Sequence, residues 1–177
     1  MRAIFFAVVA GLVGLSVAAR GQTLTGEYRL KAAFVARFPE FVEWPPPAWQ
    51  GRTTLDVCVL TPNPFGKDLP DVIDGQAFRG RPVIVREVNA DAPLDDCHVL
   101  YVTRQAPGRL AVLQRAAALP ILTISDEPAF LDAGGIIQLR TVDNRVRFDI
   151  SSSAAGRVGL RLSSQLLRLA VNVRGEP

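Results

Sequence analysis

A single histidine and two cysteines leave this 177-residue chain with little of the equipment that covalent chemistry needs. The histidine, His98, follows Cys97, but adjacent strand residues point to opposite faces, so the two do not form a nucleophile–base pair. One histidine cannot assemble a metal cluster either. There is no phosphate-binding loop and no dinucleotide fingerprint. Gly134-Gly135 follows a predicted helix instead of preceding one, where the helix dipole has the wrong sign to cradle an anion. No serine stands in a nucleophile-elbow context, and Ser163-Ser164 falls inside a predicted helix with no histidine to activate it. Capping accounts for Asp126 and Glu127, and a turn accounts for Asp143. The reading is a protein that is not an enzyme, with no cofactor and no metal.

Surplus positive charge is missing too. The formal +3 includes Arg2 and Arg20, which leave with the leader described next, so 18 basic side chains face 17 acidic ones and the net falls to about +1. A nucleic-acid footprint needs clustered basic surface. None is evident outside the last predicted helix, and no nucleic-acid partner is expected.

The leader is the apolar run Ala3 to Ala19 behind the positive start Met1-Arg2. It is short for a membrane span, and small residues from Ala18 to Gly21 offer cleavage points, so residues 1–21 read as a secretory signal peptide. No cysteine follows at once to carry a lipid. Residues 22–177 remain as one domain of about 155 residues, enough for a real core. Its two cysteines, Cys58 and Cys97, both lie beside predicted strands. In an exported chain they read as one disulfide, worth roughly 3–4 kcal/mol for a loop of about 40 residues. The alternative is two buried thiols acting as small apolar residues.

What is present is a clear alternation of elements. Leu24, Tyr28, Ala32, Val35, Phe38 and Val42 recur at helical spacing, with a kink expected at Pro39 and an end at Trp44 and Pro45-Pro46-Pro47. Thr54–Thr61, Pro82–Val88, His98–Thr103 and Leu119–Ser125 read as strands. Between them, helices are expected around Lys67–Ile73 and from Pro107, with Leu110, Leu113 and Ala117 on the inner face of the latter. That pattern predicts an α/β layered sandwich, a largely parallel sheet with helices on its faces. No internal repeat or low-complexity segment interrupts it.

The closing third predicts a short helix capped by Asp126, a stop at Gly134-Gly135 and a strand from Ile136 to Thr141. Asp143-Asn144 turns the chain into a return strand, making a C-terminal antiparallel hairpin. That strand alternates Val146, Phe148 and Ile150 against Arg145, Arg147 and Asp149. A long helix is then expected from Ser151–Ser153 to about Val171. On it Gly156, Gly159 and Ser163 form a small-residue stripe suited to self-contact, and Arg157, Arg161 and Arg168 a polar strip. Arg145, Arg147, Arg157, Arg161 and Arg168 are candidate partner-binding residues, since arginine pairs bidentately with acidic groups. Phe41 and Trp44 are added as candidates at a partner-facing edge; the bland alternative for both is core packing.

Several separated blocks together resemble the YfiR family. They are YRLKAAFVARFPEFVEWP (28–45), CVLTPNPFG, RGRPVIVREV, CHVLYVT, the Ser125-Asp126…Phe130…Gly134-Gly135 run, NRVRFDI and AAGRVGLRLSSQLLRLA, covering about residues 24–173. The resemblance implies a periplasmic regulator that binds the periplasmic part of an inner-membrane diguanylate cyclase and holds it inactive. It would thereby control cyclic-di-GMP and biofilm formation. An OmpA-like outer-membrane lipoprotein would sequester the regulator, and a homodimer would form. Some members of the family carry a cysteine pair at spacing like that of Cys58 and Cys97; a second pair found in some relatives has no counterpart here. A different reading is a small-ligand or sensory module coupled to a sensor kinase or outer-membrane receptor, and a third is a periplasmic hydrolase.

Overall fold

In the computed structural model, which describes residues 18–175, the chain opens with α1 (Ala18–Arg37), a 3-10 turn (Phe38–Phe41), β1 (Val42–Glu43) and a second 3-10 turn (Pro46–Trp49). The leader expected over 1–21 lies, up to residue 17, outside the described residues. There follow β2 (Leu55–Leu60), α2 (Asp68–Ile73), β3 (Ala77–Phe78), β4 (Arg81–Val88), β5 (Val99–Tyr101), α3 (Arg109–Ala116) and β6 (Leu122–Ser125). The chain closes with β7 (Ile137–Val142), β8 (Arg145–Ser151), α4 (Ser152–Arg157), β9 (Arg161–Leu162), α5 (Ser164–Leu169) and β10 (Val173–Arg174).

Eight strands form one sheet in the order β10-β8-β7-β6-β5-β2-β4-β3. The pairs β2–β4, β2–β5, β5–β6 and β6–β7 are all parallel, and the β7–β8 hairpin is antiparallel. Counted among themselves, the five parallel strands stand in the doubly wound order 2-1-3-4-5, which reverses direction between β2 and β5. The expected α/β sandwich with a largely parallel sheet and a closing hairpin is what forms.

Alternation along the strands builds two cores. Val57, Val59, Val99, Tyr101, Leu122 and Ile124 face α1 and α2, while Cys58, Leu60 and Leu100 face α3. No side chain of β2 or β6 is exposed, the expected signature of strands covered on both faces. α1 stops where Pro39 lacks the N–H that a further helical turn requires.

Three segments fold otherwise than the sequence reading predicts. The first helix, expected to pass a kink at Pro39 and end at Trp44, stops at Arg37, and a 3-10 turn and the strand β1 take the residues beyond it. Residues 128–134 are successive turns instead of a helix, because Ala129 sits at φ +63° and breaks the helical run. Asp126 does not cap it. Ser125 Oγ accepts from Glu127 N–H at 3.0 Å, and the Asp126 carboxylate is engaged elsewhere. Phe130 then lies where a Cβ on Gly135 would be, 2.2 Å from its ring, so glycine is needed there for close approach.

The long final helix is the largest correction. It is two six-residue helices, α4 and α5, separated by β9. Gly159, at φ +74°, ends α4 in a Schellman arrangement: Leu160 N–H reaches Ala155 C=O and Gly159 N–H reaches Gly156 C=O, both at 3.0 Å. Released from the helix, Leu162 and Arg161 pair with Val42 and Glu43 of β1. Ser163 then starts afresh as the cap of α5, its Oγ accepting from Leu166 N–H.

Candidate functional site

In open α/β sheets the crevice beyond the carboxyl ends of the strands, at the point where strand order reverses, is the usual ligand site. Here the chain's own first helix fills it. The ring of Tyr28 meets Phe65 edge-on at 5.8 Å, and Phe65 meets Tyr101 at 4.5 Å. One helical turn on, Lys31 enters the same crevice and is 2% exposed.

Its ammonium lies 2.6 Å from both Asp126 Oδ2 and Glu27 Oε1. Tyr28 donates to the same Asp126 oxygen at 3.0 Å, and Arg104 Nε stands 3.4 Å from the other. Two acids and two bases thus balance at the end of β6. Burial by itself would raise the Asp126 pKa, but the hydrogen bond and charge of Lys31, then Arg104 and Tyr28, win and hold it below the usual carboxylate range. Burial likewise works to lower the pKa of Lys31, and its bonds to Asp126 and Glu27 outweigh that and raise it. Glu27 also accepts from Thr141 near the hairpin tip, at 2.8 Å. The centre therefore ties α1, β6 and the hairpin together. Sequence reading missed it because Lys31 and Asp126 are 95 residues apart; the one available signal was a lysine on the apolar side of an otherwise core-facing helix.

At the opposite end of the strands, the disulfide reading of the cysteines holds: Cys58 and Cys97 are bonded, joining β2 to the residues just before β5. His98 beside them is 2% exposed and stacked on Trp49, with ring centres 4.5 Å apart. Its Nδ1 accepts from Asp56 N–H at 3.2 Å, which requires the neutral ring. Burial, above all, pushes its pKa down; Asp56 and the Ala48 carbonyl oppose this, while Arg52 and Arg81 reinforce it. A depressed histidine pKa leaves stability intact above the unfolded value of about 6.5 and erodes it as pH falls below that. Melting temperature should hold steady from pH 8 to 7 and fall below about 6.5, and His98→Gln should flatten that part of the profile. A wild-type profile level down to pH 5 would contradict the assignment.

The surface residues singled out from sequence are dispersed. Arg145 and Arg147 stand exposed on one face of the hairpin. Arg157 ends α4, Arg161 is on β9 and Arg168 on α5; all three are exposed, but on separate elements they form no continuous strip. Phe41 is half-buried beside a mostly apolar hollow of about 230 Å³ that Phe34, Phe38, Phe148, Leu166 and Leu169 also line. Trp44 is 7% exposed, and its indole N–H donates to the His98 carbonyl. Gly156 and Gly159 are exposed and Ser163 half-buried, with the capping duties of the last two described above.

The sequence model of the YfiR/HmsC-like family matches residues 28–171. The chain belongs to the YfiR/HmsC-like family. This family is periplasmic, and regulatory rather than catalytic. Among solved structures, the chain is similar to a conserved domain protein from Vibrio cholerae O1 biovar El Tor, at 11% identity and a TM-score of 0.46. The alignment covers 69% of this chain and 55% of that one. No curated protein matches it. Among the described residues no helix is long and apolar enough to cross a membrane.

Proposed function

We propose that this YfiR/HmsC-like protein is an exported repressor that binds the periplasmic part of an inner-membrane diguanylate cyclase and holds it inactive. The observation that carries the reading is the family match over residues 28–171. The structure is compatible with action by contact, since the groups best suited to chemistry are already engaged: Asp126 by Lys31 and Tyr28, and His98 by Asp56 N–H and Trp49. The contact we assign centres on Arg145 and Arg147, which share one exposed face of the hairpin; Phe41, Arg157, Arg161 and Arg168 are further candidates on separate elements. Repression then follows from differential binding: a preference of a few kcal/mol for the inactive cyclase conformation shifts its population. An OmpA-like outer-membrane lipoprotein competing for the protein would release the cyclase, and a second copy of the chain would pack through the Gly156–Ser163 region.

Deleting the gene should raise cellular cyclic-di-GMP, and the tagged protein should recover an inner-membrane cyclase from membrane extracts. The double substitution Arg145→Glu/Arg147→Glu should weaken that recovery at least tenfold without lowering the melting temperature. Unaltered cyclic-di-GMP, with no cyclase recovered, would end the proposal.

A further inference from the structure

The outer face of the β7–β8 hairpin presents an arrangement that folding alone does not favour. Register places Arg140 directly opposite Arg147, and Val142 opposite Arg145. Facing residues of antiparallel strands have Cβ atoms about 4.5–5.5 Å apart, and like charges there are destabilising. Arg145 and Arg147, two residues apart on one face, are separated by about 7 Å. Three guanidinium groups therefore share one small area. α3 covers the middle of the sheet on this side, and α4 packs near the start of β7, at Ile136. The tip lies clear of both: β6 ends level with Gln138, so the strands continue past its carboxyl edge.

Asp149 shows what this face does with an oxyanion. Arg140 Nε lies 2.9 Å from one carboxylate oxygen, and its Nη2 donates to the other at 3.2 Å. Asn172 holds the same carboxylate through its N–H at 3.1 Å and its side-chain amide at 2.9 Å. Arg140 is thus ion-paired with Asp149. The side chains of Arg145 and Arg147 have no hydrogen-bond or ion-pair partner among the described residues. They line a cavity of about 500 Å³ with Arg140, Val142, Val171 and, at the tip, Asp143. That volume is within the range of small-molecule sites. Val142 and Val171 are 46% and 52% exposed, giving the cavity apolar walls beside its cationic ones.

We propose that this cavity binds a small molecule bearing a dianionic oxyanion group, a phosphate ester or a dicarboxylate, on an apolar body. Arg145 and Arg147 take the oxygens as bidentate donors, Arg140 adds its field, and Val142 and Val171 cover the apolar part. Arginine suits this role because its planar fork matches carboxylate and phosphate geometry. The assignment concerns the isolated chain and does not depend on which protein the chain regulates.

The test is titration of the purified mature protein with inorganic phosphate, malonate and phenyl phosphate, each against sodium chloride at matched ionic strength. Calorimetry and melting temperature supply the readouts. Saturable binding of phosphate or malonate is expected, with the one that binds identifying the oxyanion class. Phenyl phosphate should bind at least threefold more tightly than inorganic phosphate. Arg147→Gln and Arg145→Gln should each lower affinity about tenfold without lowering the unliganded melt, while Arg29→Gln, exposed on α1, should leave affinity as it was. Binding no stronger than the chloride control, or binding unaffected by Arg147→Gln, would overturn the site. Equal affinity for phosphate and phenyl phosphate would overturn the apolar half of the assignment.

Discussion

Asp126→Asn should cost about 3 kcal/mol of folding stability, and Lys31→Met about 3–5 kcal/mol, the range for removing one member of a buried ion pair. In the asparagine variant Lys31 keeps Glu27, 2.6 Å away, which places the loss at the lower end. In Lys31→Met, Asp126 and Glu27 are left as neighbouring acids with only the half-exposed Arg104 and Tyr28 to balance them. At roughly 2–4 °C per kcal/mol for a chain of this size, Asp126→Asn should lower the melting temperature by about 6–12 °C. Combining the two substitutions should cost less than the sum of the singles, since neither charge is then left buried beside a missing partner. Urea unfolding of the four proteins measures this directly. Single losses below 1 kcal/mol would show that the centre does not hold α1 to the sheet. The pH dependence follows from the same geometry. Asp126 has a depressed folded pKa, so its contribution is complete above the unfolded value near 3.8 and disappears as pH falls through the folded one.

The second large effect concerns the disulfide. Cys58 and Cys97 are 39 residues apart in sequence. Closing such a loop restricts the unfolded chain by an amount worth about 4 kcal/mol in chain-entropy reasoning. Cys58→Ala/Cys97→Ala should therefore melt about 8–16 °C lower than wild type. Both cysteines are buried, at 1% and 6% exposure, so reductant added to the folded protein should act slowly. Unfolding and refolding wild type in reductant should bring its melt to that of the double variant. Coinciding melts for oxidised wild type and double variant would remove the disulfide from the account of stability.

The sheet was readable from the chain because strand and helix periods are local properties. The apolar run Val57–Leu60 marks a strand covered on both faces and the alternation from Arg145 to Ile150 one with a single buried face, each within a few residues. A break at Pro39 was readable for the same reason, since a missing N–H acts where it stands, but the helix was expected to resume and end at Trp44, whereas α1 stops at Arg37. The cysteine pairing was one of two readings of the sequence, a disulfide or two buried thiols, and the structure has the disulfide.

The failures share a different cause. Around Gly159, apolar residues at helical spacing outweighed a glycine whose positive φ ends the helix, and the partner strand that rewards the break, Val42-Glu43, lies more than a hundred residues earlier. At Asp126 a local capping role was the obvious assignment, while its actual partners on α1 are contributed from across the fold. A cap needs only neighbours; an ion pair needs the topology.

From sequence alone came the layered α/β architecture, the hairpin, the cysteine pair and the family, because each is written in short-range pattern or in blocks of residues read in order. Only the tertiary structure decided that Lys31 fills the crevice at the sheet's reversal point, that the last helix is two, and that Arg140, Arg145 and Arg147 crowd one face of the hairpin tip. Those facts depend on which distant segments share space, and strand register and helix docking set that for the chain as a whole.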